Sequence, residues 1–144
     1  MKVLIASDHA GFTLKQGCIG FLESASCSVK DFGPHSDESV DYPDFAHQVA
    51  SRVAKDSSVL GVLICGSANG VAMTANKYED VRACLAWSHD IAELGRLHNN
   101  ANILCLPARF MTDEEAYRSL EVFLSTPFEG GRHERRVSKI KCCI

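Results

Sequence analysis

The sequence predicts an α/β fold, a Rossmann-like three-layer αβα sandwich built on a five-stranded parallel sheet. Three observations carry that prediction. Short apolar runs alternate with longer helix-tolerant stretches, the order that sets parallel strands between crossover helices. The apolar share of 46% and the charged share of 23% are those of an ordinary folded globule. The 144 residues fall within the roughly 100–200 of a single domain, and no repeat, linker or low-complexity stretch divides them. Residues 1–144 are therefore expected to be one domain, with a basic C-terminal tail from about residue 130.

Val3-Leu4-Ile5-Ala6 is the first apolar run and ends in Ser7-Asp8-His9-Ala10-Gly11. Residues 12–24 bring Phe12, Leu14, Ile19, Phe21 and Leu22 to mixed helical spacing, although Gly17 and Gly20 weaken a helix there. Residues 29–32 read as a second, shorter strand, and residues 33–41, polar with Gly and Pro, as a loop. In residues 42–55, Phe45, Ala46, Val49, Ala50 and Val53 fall on one face of an amphipathic helix. Gly61-Val62-Leu63-Ile64 closes at Cys65 and suits a strand buried on both faces; a helix follows from near Asn69. Residues 82–86 give a fourth strand. Ser88 stands as N-cap, with Asp90 in the first turn, of a helix running to about His98. Ile103-Leu104-Cys105-Leu106 is the fifth strand, ended by Pro107. Thr112 before Asp113-Glu114-Glu115 opens a capping-box helix that reaches Leu124. Gly130-Gly131 break the chain before the tail, where Val137 and Ile140 are expected to pack.

Several function classes are excluded. A net charge of -3 argues against a general nucleic-acid binder. No apolar stretch approaches the roughly 18–20 residues that cross a bilayer, and the N-terminus does not resemble a secretory signal. Seven cysteines, an odd count with no C-x-x-C spacing, point to reduced thiols in a cytoplasmic compartment. No Cys/His pair has zinc-finger spacing, so no metal is expected. Cys142-Cys143-Ile144 is one residue off a prenylation register, with Lys141 where the cysteine would stand. Neither a G-x-x-x-x-G-K-[ST] nor a G-x-G-x-x-G motif is present, so no nucleotide cofactor is expected. Val71 occupies the position where a Cys-x5-Arg phosphatase loop needs its arginine.

In doubly wound sheets ligands bind beyond the carboxyl ends of the strands. That rule gathers Asp8 and His9 after the first strand, Cys65 and Gly66-Ser67-Ala68-Asn69-Gly70 after the third, and Arg109 after the fifth. The five small residues bring backbone amides close to a ligand at a helix start, an arrangement that suits an anion. Cys65 is either a core thiol before an ordinary βα turn or a reactive one at the mouth of that nest, and its company favours the second. The residues alone point to a small phosphorylated metabolite held by amides and arginines, with a thiol and an imidazole for proton transfer.

Ser7-Asp8-His9-Ala10-Gly11, Asp41-Tyr42-Pro43-Asp44, Ile64-Cys65-Gly66-Ser67-Ala68-Asn69-Gly70, Ala75-Asn76-Lys77, Arg96-Leu97-His98-Asn99-Asn100-Ala101-Asn102 and Phe128-Glu129-Gly130-Gly131-Arg132-His133-Glu134-Arg135-Arg136-Val137 closely resemble the ribose-5-phosphate isomerase B family, which includes galactose-6-phosphate isomerase subunits. The resemblance runs from Lys2 to about Ile140, with the motifs in the family's order. It implies a metal-free aldose–ketose isomerase of the pentose phosphate pathway, a homodimer or dimer of dimers with shared active sites. By the resemblance, Cys65 is the proton acceptor and His98 opens the sugar ring. Substrate-binding positions are Asp8, His9, Tyr42, Gly66, Ser67, Ala68, Asn69, Gly70, Asn99, Arg109, Arg132 and Arg136. Ser67 stands where many relatives have Thr, which keeps the hydroxyl. A branch that uses Glu as base has it where this chain has Val71, so Cys65 places this chain in the thiol branch. The alternatives are a six-carbon sugar-phosphate isomerase, acting on galactose 6-phosphate or allose 6-phosphate, and a non-catalytic sugar-phosphate-binding subunit.

The chemistry agrees with those roles. Moving a proton between adjacent carbons through a cis-enediolate needs one base facing both. Thiols, with an ordinary pKa of about 8.5, ionise more readily at helix N-termini. Ring opening needs an acid–base pair, which His98 and Asp8 can supply. Arginine's fork suits a phosphate. His35, His47 and His89 read as surface or packing residues, Arg135 as solvated, and His133 as a possible aid to the phosphate. Cys18, Cys27, Cys84 and Cys105 read as core or near-core thiols.

Overall fold

The structure is a computed structural model that describes residues 1–141; the reading of Cys142, Cys143 and Ile144 as unprenylated lies outside the described residues. The elements are β1 (Lys2–Ser7), α1 (Phe12–Ser24), β2 (Ser28–Asp31), α2 (Tyr42–Val53), β3 (Val59–Cys65), α3 (Asn69–Ala75), β4 (Ala83–Leu85), α4 (His89–Asn99), β5 (Ile103–Pro107), α5 (Asp113–Ser125) and α6 (Arg132–Val137). All strand pairs are parallel, in the order β2-β1-β3-β5-β4. The expected sheet is therefore present. Strand β4 is shorter than the run 82–86 suggested, and Pro107 is the last residue of β5 rather than its stop.

The pattern of apolar residues decides the layers. Ala46, Val49, Ala50 and Val53 of α2 and Val71, Ala72 and Ala75 of α3 cover one face together with Leu4, Leu63 and Cys105. Leu14, Cys18 and Leu22 of α1, Ala92 of α4, and Ala116, Leu120 and Phe123 of α5 cover the other with Ile5, Val62 and Leu104. Each fully buried large side chain, Phe123 among them, contributes about 1.5–3 kcal/mol by leaving water.

Helix α1 also carries a cation on its buried face. The Lys15 side chain is 0% exposed, and its Nζ lies 2.7 Å from both carboxylate oxygens of Asp31 and 2.8 Å from the Pro34 carbonyl. Asp31 Oδ1 also accepts the Gly33 amide at 2.8 Å. A lysine can be buried only when paired and bonded in this way. The group pins the end of β2 and the following loop to α1.

The N-termini of α4 and α5 are tied by one carboxylate. Thr112 Oγ1 accepts the Glu115 amide at 3.2 Å, as the capping box requires. The Glu115 side chain does not turn back on its own helix. It accepts the His89 amide and lies 2.8 Å from His89 Nδ1, capping α4 where Ser88 offers no side-chain bond. His89 is thus a tether, more than the packing residue expected. His35 and His47 are exposed, as expected.

Because every strand runs the same way, α4 must descend from the carboxyl edge of the sheet to the amino edge, where β5 begins. Its C-terminal residues are therefore at the end of the sheet opposite the loops that follow β1, β3 and β5. Helix α6 packs against α4, and the Glu129 amide donates to the Leu97 carbonyl at 3.0 Å. The tail is expected to follow a break at Gly130-Gly131, with Val137 and Ile140 packing. It is a docked helix beginning at Arg132, with Gly130 and Gly131 at positive φ (72° and 55°) making the turn that docks it. Val137 is half-buried and Ile140 is 52% exposed, so only the first packs as expected.

Candidate active site

At the carboxyl edge, Asp8 is 8% exposed. Its amide donates to the Ile64 carbonyl at 3.0 Å and its Oδ1 accepts the Gly11 amide at 2.9 Å. Gly11 presses on β3 so closely that a Cβ there would lie 2.7 Å from the Ile64 carbonyl oxygen. His9 Nδ1 accepts the Val40 amide at 3.4 Å; in the neutral ring the hydrogen then sits on Nε2, which is left to donate.

Cys65 ends β3 and is 4% exposed. Its carbonyl accepts the Ala108 amide at 2.9 Å, and the Gly66 carbonyl accepts that of Arg109 at 3.1 Å. The Arg109 side chain lies along Gly66, where a Cβ would meet its Cδ and Nε at 3.3 Å. Ala68 is left-handed, φ 61°, and Ser67 Oγ accepts the Asn69 amide at 3.4 Å. The Tyr42 ring, at the start of α2, fills the space a side chain at Gly70 would take. Asp8, His9, Tyr42, Cys65, Gly66, Ser67, Ala68, Asn69, Gly70 and Arg109 thus share one edge of the sheet. Helix α3 spans only Asn69–Ala75, so its dipole is short and the 66–70 loop amides are the larger resource for any anion there.

Three other thiols are poor bases. Burial, then Asp113, pushes Cys18 up to about 12; burial pushes Cys105 well up and Cys84 up. Cys18 and Cys105 are buried and Cys27 and Cys84 half-buried, as expected of core or near-core positions.

His98, Asn99, Arg132 and Arg136 are not at this edge. His98 and Asn99 close α4, while the two arginines are exposed on α6 against it. From the first residue of β5 to Pro107, which pairs with Cys65, lies about 13 Å of strand. In one chain, then, His98 does not reach Asp8 or Cys65.

His98 has company of its own. Its ring stacks on that of His133, with centroids 4.2 Å apart and planes 3° from parallel. Glu129 Oε2 lies 3.6 Å from His98 Nε2 and 3.4 Å from His133 Nε2, while Arg132 Nε donates to His133 Nε2 at 3.4 Å. His133 is buried, not a tail residue in solvent. Burial, then the neighbouring His98, holds its pKa below the usual histidine value against the opposing pull of Glu129. The donor atoms of His98, Glu129 and His133 lie within 4.8 Å of one another, the donor set of a small metal site. Parallel rings cannot both aim Nε2 at one ion, however, and Arg132 already occupies His133 Nε2. Glu129 was missed from sequence. Its signal was two titratable residues, Glu129 and His133, straddling a Gly-Gly turn.

Beside the exposed edge of β4, a groove of about 620 Å³ is lined in part by Asn76, Arg82, Asn99, Ile140 and Lys141. Of the expected binding residues it contains only Asn99.

A doubly wound parallel sheet with a thiol, a carboxylate and an amide nest at its carboxyl edge defines a small-molecule enzyme of the α/β class. The chain belongs to the Ribose/Galactose Isomerase family, whose sequence pattern it matches over residues 3–140. It is 49% identical over 141 residues to the probable ribose-5-phosphate isomerase B of Mycoplasma genitalium, covering 96% of this chain and 93% of that protein. The crystal structure of the Mycoplasma genitalium ribose-5-phosphate isomerase B with bound ribulose-5-phosphate superposes with a TM-score of 0.93, at 49% identity and 96% and 93% coverage. The ribose 5-phosphate isomerase of Thermotoga maritima superposes at 0.94, with 47% identity and 97% of each chain covered.

Proposed function

We propose that this protein interconverts D-ribose 5-phosphate and D-ribulose 5-phosphate in the pentose phosphate pathway, as a cytoplasmic homodimer whose two copies complete each other's sites. The observation that carries the substrate is the bound ribulose-5-phosphate in the 49%-identical Mycoplasma genitalium structure. Two copies are invoked because one chain keeps His98, Asn99, Arg132 and Arg136 at the far end of its sheet from Cys65. A second copy that sets its α4 end over the crevice supplies them, and a C2 axis gives both sites at once. The reduced thiols, and the absence among the described residues of a helix long and apolar enough to cross a membrane, fit this setting.

In the mechanism, Arg109 with Arg132 and Arg136 of the second copy hold the phosphate. His98 of the second copy and Asp8 exchange protons with the anomeric hydroxyl and the ring oxygen, breaking the C1–O4 bond. The Cys65 thiolate removes the C2 proton of the aldehyde. The electron pair forms the C1–C2 double bond, and the oxygen that takes up charge is held by the amides of the 66–70 loop, each such donor being worth roughly 3–4 kcal/mol. The O2 hydroxyl proton passes to O1, and as the C2–O2 bond becomes a carbonyl Cys65 returns the carbon-bound proton to C1, leaving the C2 ketone and a C1 hydroxyl.

Mixing tests chemistry and assembly together. Cys65→Ser should keep the fold and lower turnover by about 10²–10⁴-fold, and His98→Asn should cripple turnover of the furanose. Subunits exchanged between the two inactive variants should regain activity at about a quarter of the sites, as random C2 pairing dictates. No regain after proven exchange would place both residues in one chain's site. Assays against galactose 6-phosphate and allose 6-phosphate would expose a six-carbon preference.

A further inference from the structure

We propose that Glu129 and His133 are positioning residues for His98, a stacked pair of imidazoles bridged at one edge by a carboxylate that fixes which ring handles the proton. This rests on the reading of His98 as the ring-opening residue and adds the groups that would make it competent. Glu129 is held in place by its own backbone, since its amide donates to the Leu97 carbonyl at 3.0 Å in the last turn of α4. Its Oε2 faces both Nε2 atoms, at 3.6 Å and 3.4 Å.

Arg132 breaks the symmetry of the pair. Its Nε donates to His133 Nε2 at 3.4 Å, so that atom is an acceptor and the neutral ring carries its hydrogen on Nδ1. His133 then has no proton to offer Glu129. The carboxylate, 3.6 Å from His98 Nε2, then favours the hydrogen on that nitrogen, which leaves His98 Nδ1 as the atom to meet the substrate. His98 Nδ1 has no hydrogen-bond partner among the described residues. When that atom takes a proton, the imidazolium faces Glu129 at its other nitrogen, the role a carboxylate plays behind any orienting histidine pair. The groups around the pair are Glu129, Arg132 and Arg136, and the last two, with His98 itself, oppose a charge on His133. His133, 5% exposed, supplies a flat face against which the His98 ring stacks at 4.2 Å, which restricts how that ring can turn.

The test separates ring opening from isomerisation by using two substrates. Ribose 5-phosphate must be opened, whereas its 4-deoxy analogue has no O4 with which to close a furanose. Glu129→Gln is the main variant, because its side chain is 54% exposed and the fold does not depend on it. It should lower turnover of ribose 5-phosphate about tenfold, a modest part of the roughly 10²–10⁴-fold span of acid–base catalysis. It should leave the 4-deoxy analogue within about twofold and both Michaelis constants unchanged. His133→Ala should lower the same ratio, and His133→Phe, which keeps the stacked face, should restore it whatever it does to the Michaelis constant through Arg132. Nitrogen-15 shifts of the His98 ring should report the Nε2–H tautomer in the parent and a mixture in Glu129→Gln.

His98→Asn is measured in parallel. If it lowers the ratio while Glu129→Gln and His133→Ala do not, the positioning proposal is overturned and the ring-opening reading stands. If His98→Asn itself leaves the ratio at its parental value, the ring-opening reading falls and the proposal with it.

Discussion

Replacing Lys15 by methionine isolates the one cation whose side chain is 0% exposed among the described residues. Methionine matches the aliphatic stem in volume, so little cavity is created. What is lost is the ammonium with its bonds to both Asp31 oxygens and the Pro34 carbonyl. Breaking a buried pair from one side costs about 3–5 kcal/mol, because the remaining charge is stranded. Asp31 is 22% exposed and keeps the Gly33 amide, so water and that bond relieve it toward the lower bound. The Pro34 carbonyl, left without a donor, adds about 1 kcal/mol. The expected loss is therefore about 3–4 kcal/mol. Lys15→Met with Asp31→Asn removes both charges and keeps an acceptor for Gly33, and should recover all but about 1–1.5 kcal/mol. Urea unfolding of the four proteins of this cycle, at one protein concentration to fix any dimer contribution, gives the coupling energy directly. A single-variant loss below about 1 kcal/mol, or a coupling near zero, would refute the assignment of the pair as the pin of the 32–41 loop. Because Val40 of that loop donates to His9 Nδ1, Lys15→Met should also raise the Michaelis constant for the sugar phosphate.

Three further outcomes can be measured. The side-chain hydrogen bond from His89, then its amide, holds Glu115 below the usual carboxylate value; stability from this tether is present above about pH 4.3 and is lost as pH falls through the lower folded value, and Glu115→Gln should flatten that part of the urea-stability profile. His133 should titrate by NMR below about 6.5, since burial and then His98 depress it. The unfolded chain then takes the proton first, so this contribution is full above that pH and is lost as pH falls below it; a midpoint above the ordinary value would contradict the stacked, buried ring. Gly11→Ala should cost about 1–3 kcal/mol, because its Cβ would stand 2.7 Å from backbone that cannot move aside; calorimetry showing parental stability would mean that the turn is looser than described.

Much of the fold was legible because burial leaves marks along the chain. Continuous apolar runs betrayed β1, β3 and β5, and Phe12–Ser24 is the helix expected despite Gly17, whose missing side chain makes room for the Tyr117 hydroxyl. Strand order left no local mark: nothing in residues 103–107 says that β5 slips between β3 and β4, since that depends on which way two crossovers pass over the sheet. Lys15 was missed although the mark was there, a lysine at the spacing of Cys18 and Leu22 on the buried face of α1, because its partner lies across the fold on β2. Cys65, Asp8 and Arg109 could be gathered by the carboxyl-edge rule alone. His98 and the arginines could not, and the same topology that gathers the first set sends the end of α4 to the opposite edge.

In a dimer of the proposed kind, that separation would govern how defects spread through a population of mixed chains. Where two copies complete each other, a chain lacking only Cys65 spoils the site to which it contributes the thiol and leaves its partner's Cys65 in working company. Activity then falls in proportion to the share of sound chains. A chain lacking both Cys65 and His98 ruins both sites of every pair it joins, so activity falls as the square of that share. A single copy carrying two lesions is thus a poison, while the same two lesions on separate copies partly rescue one another.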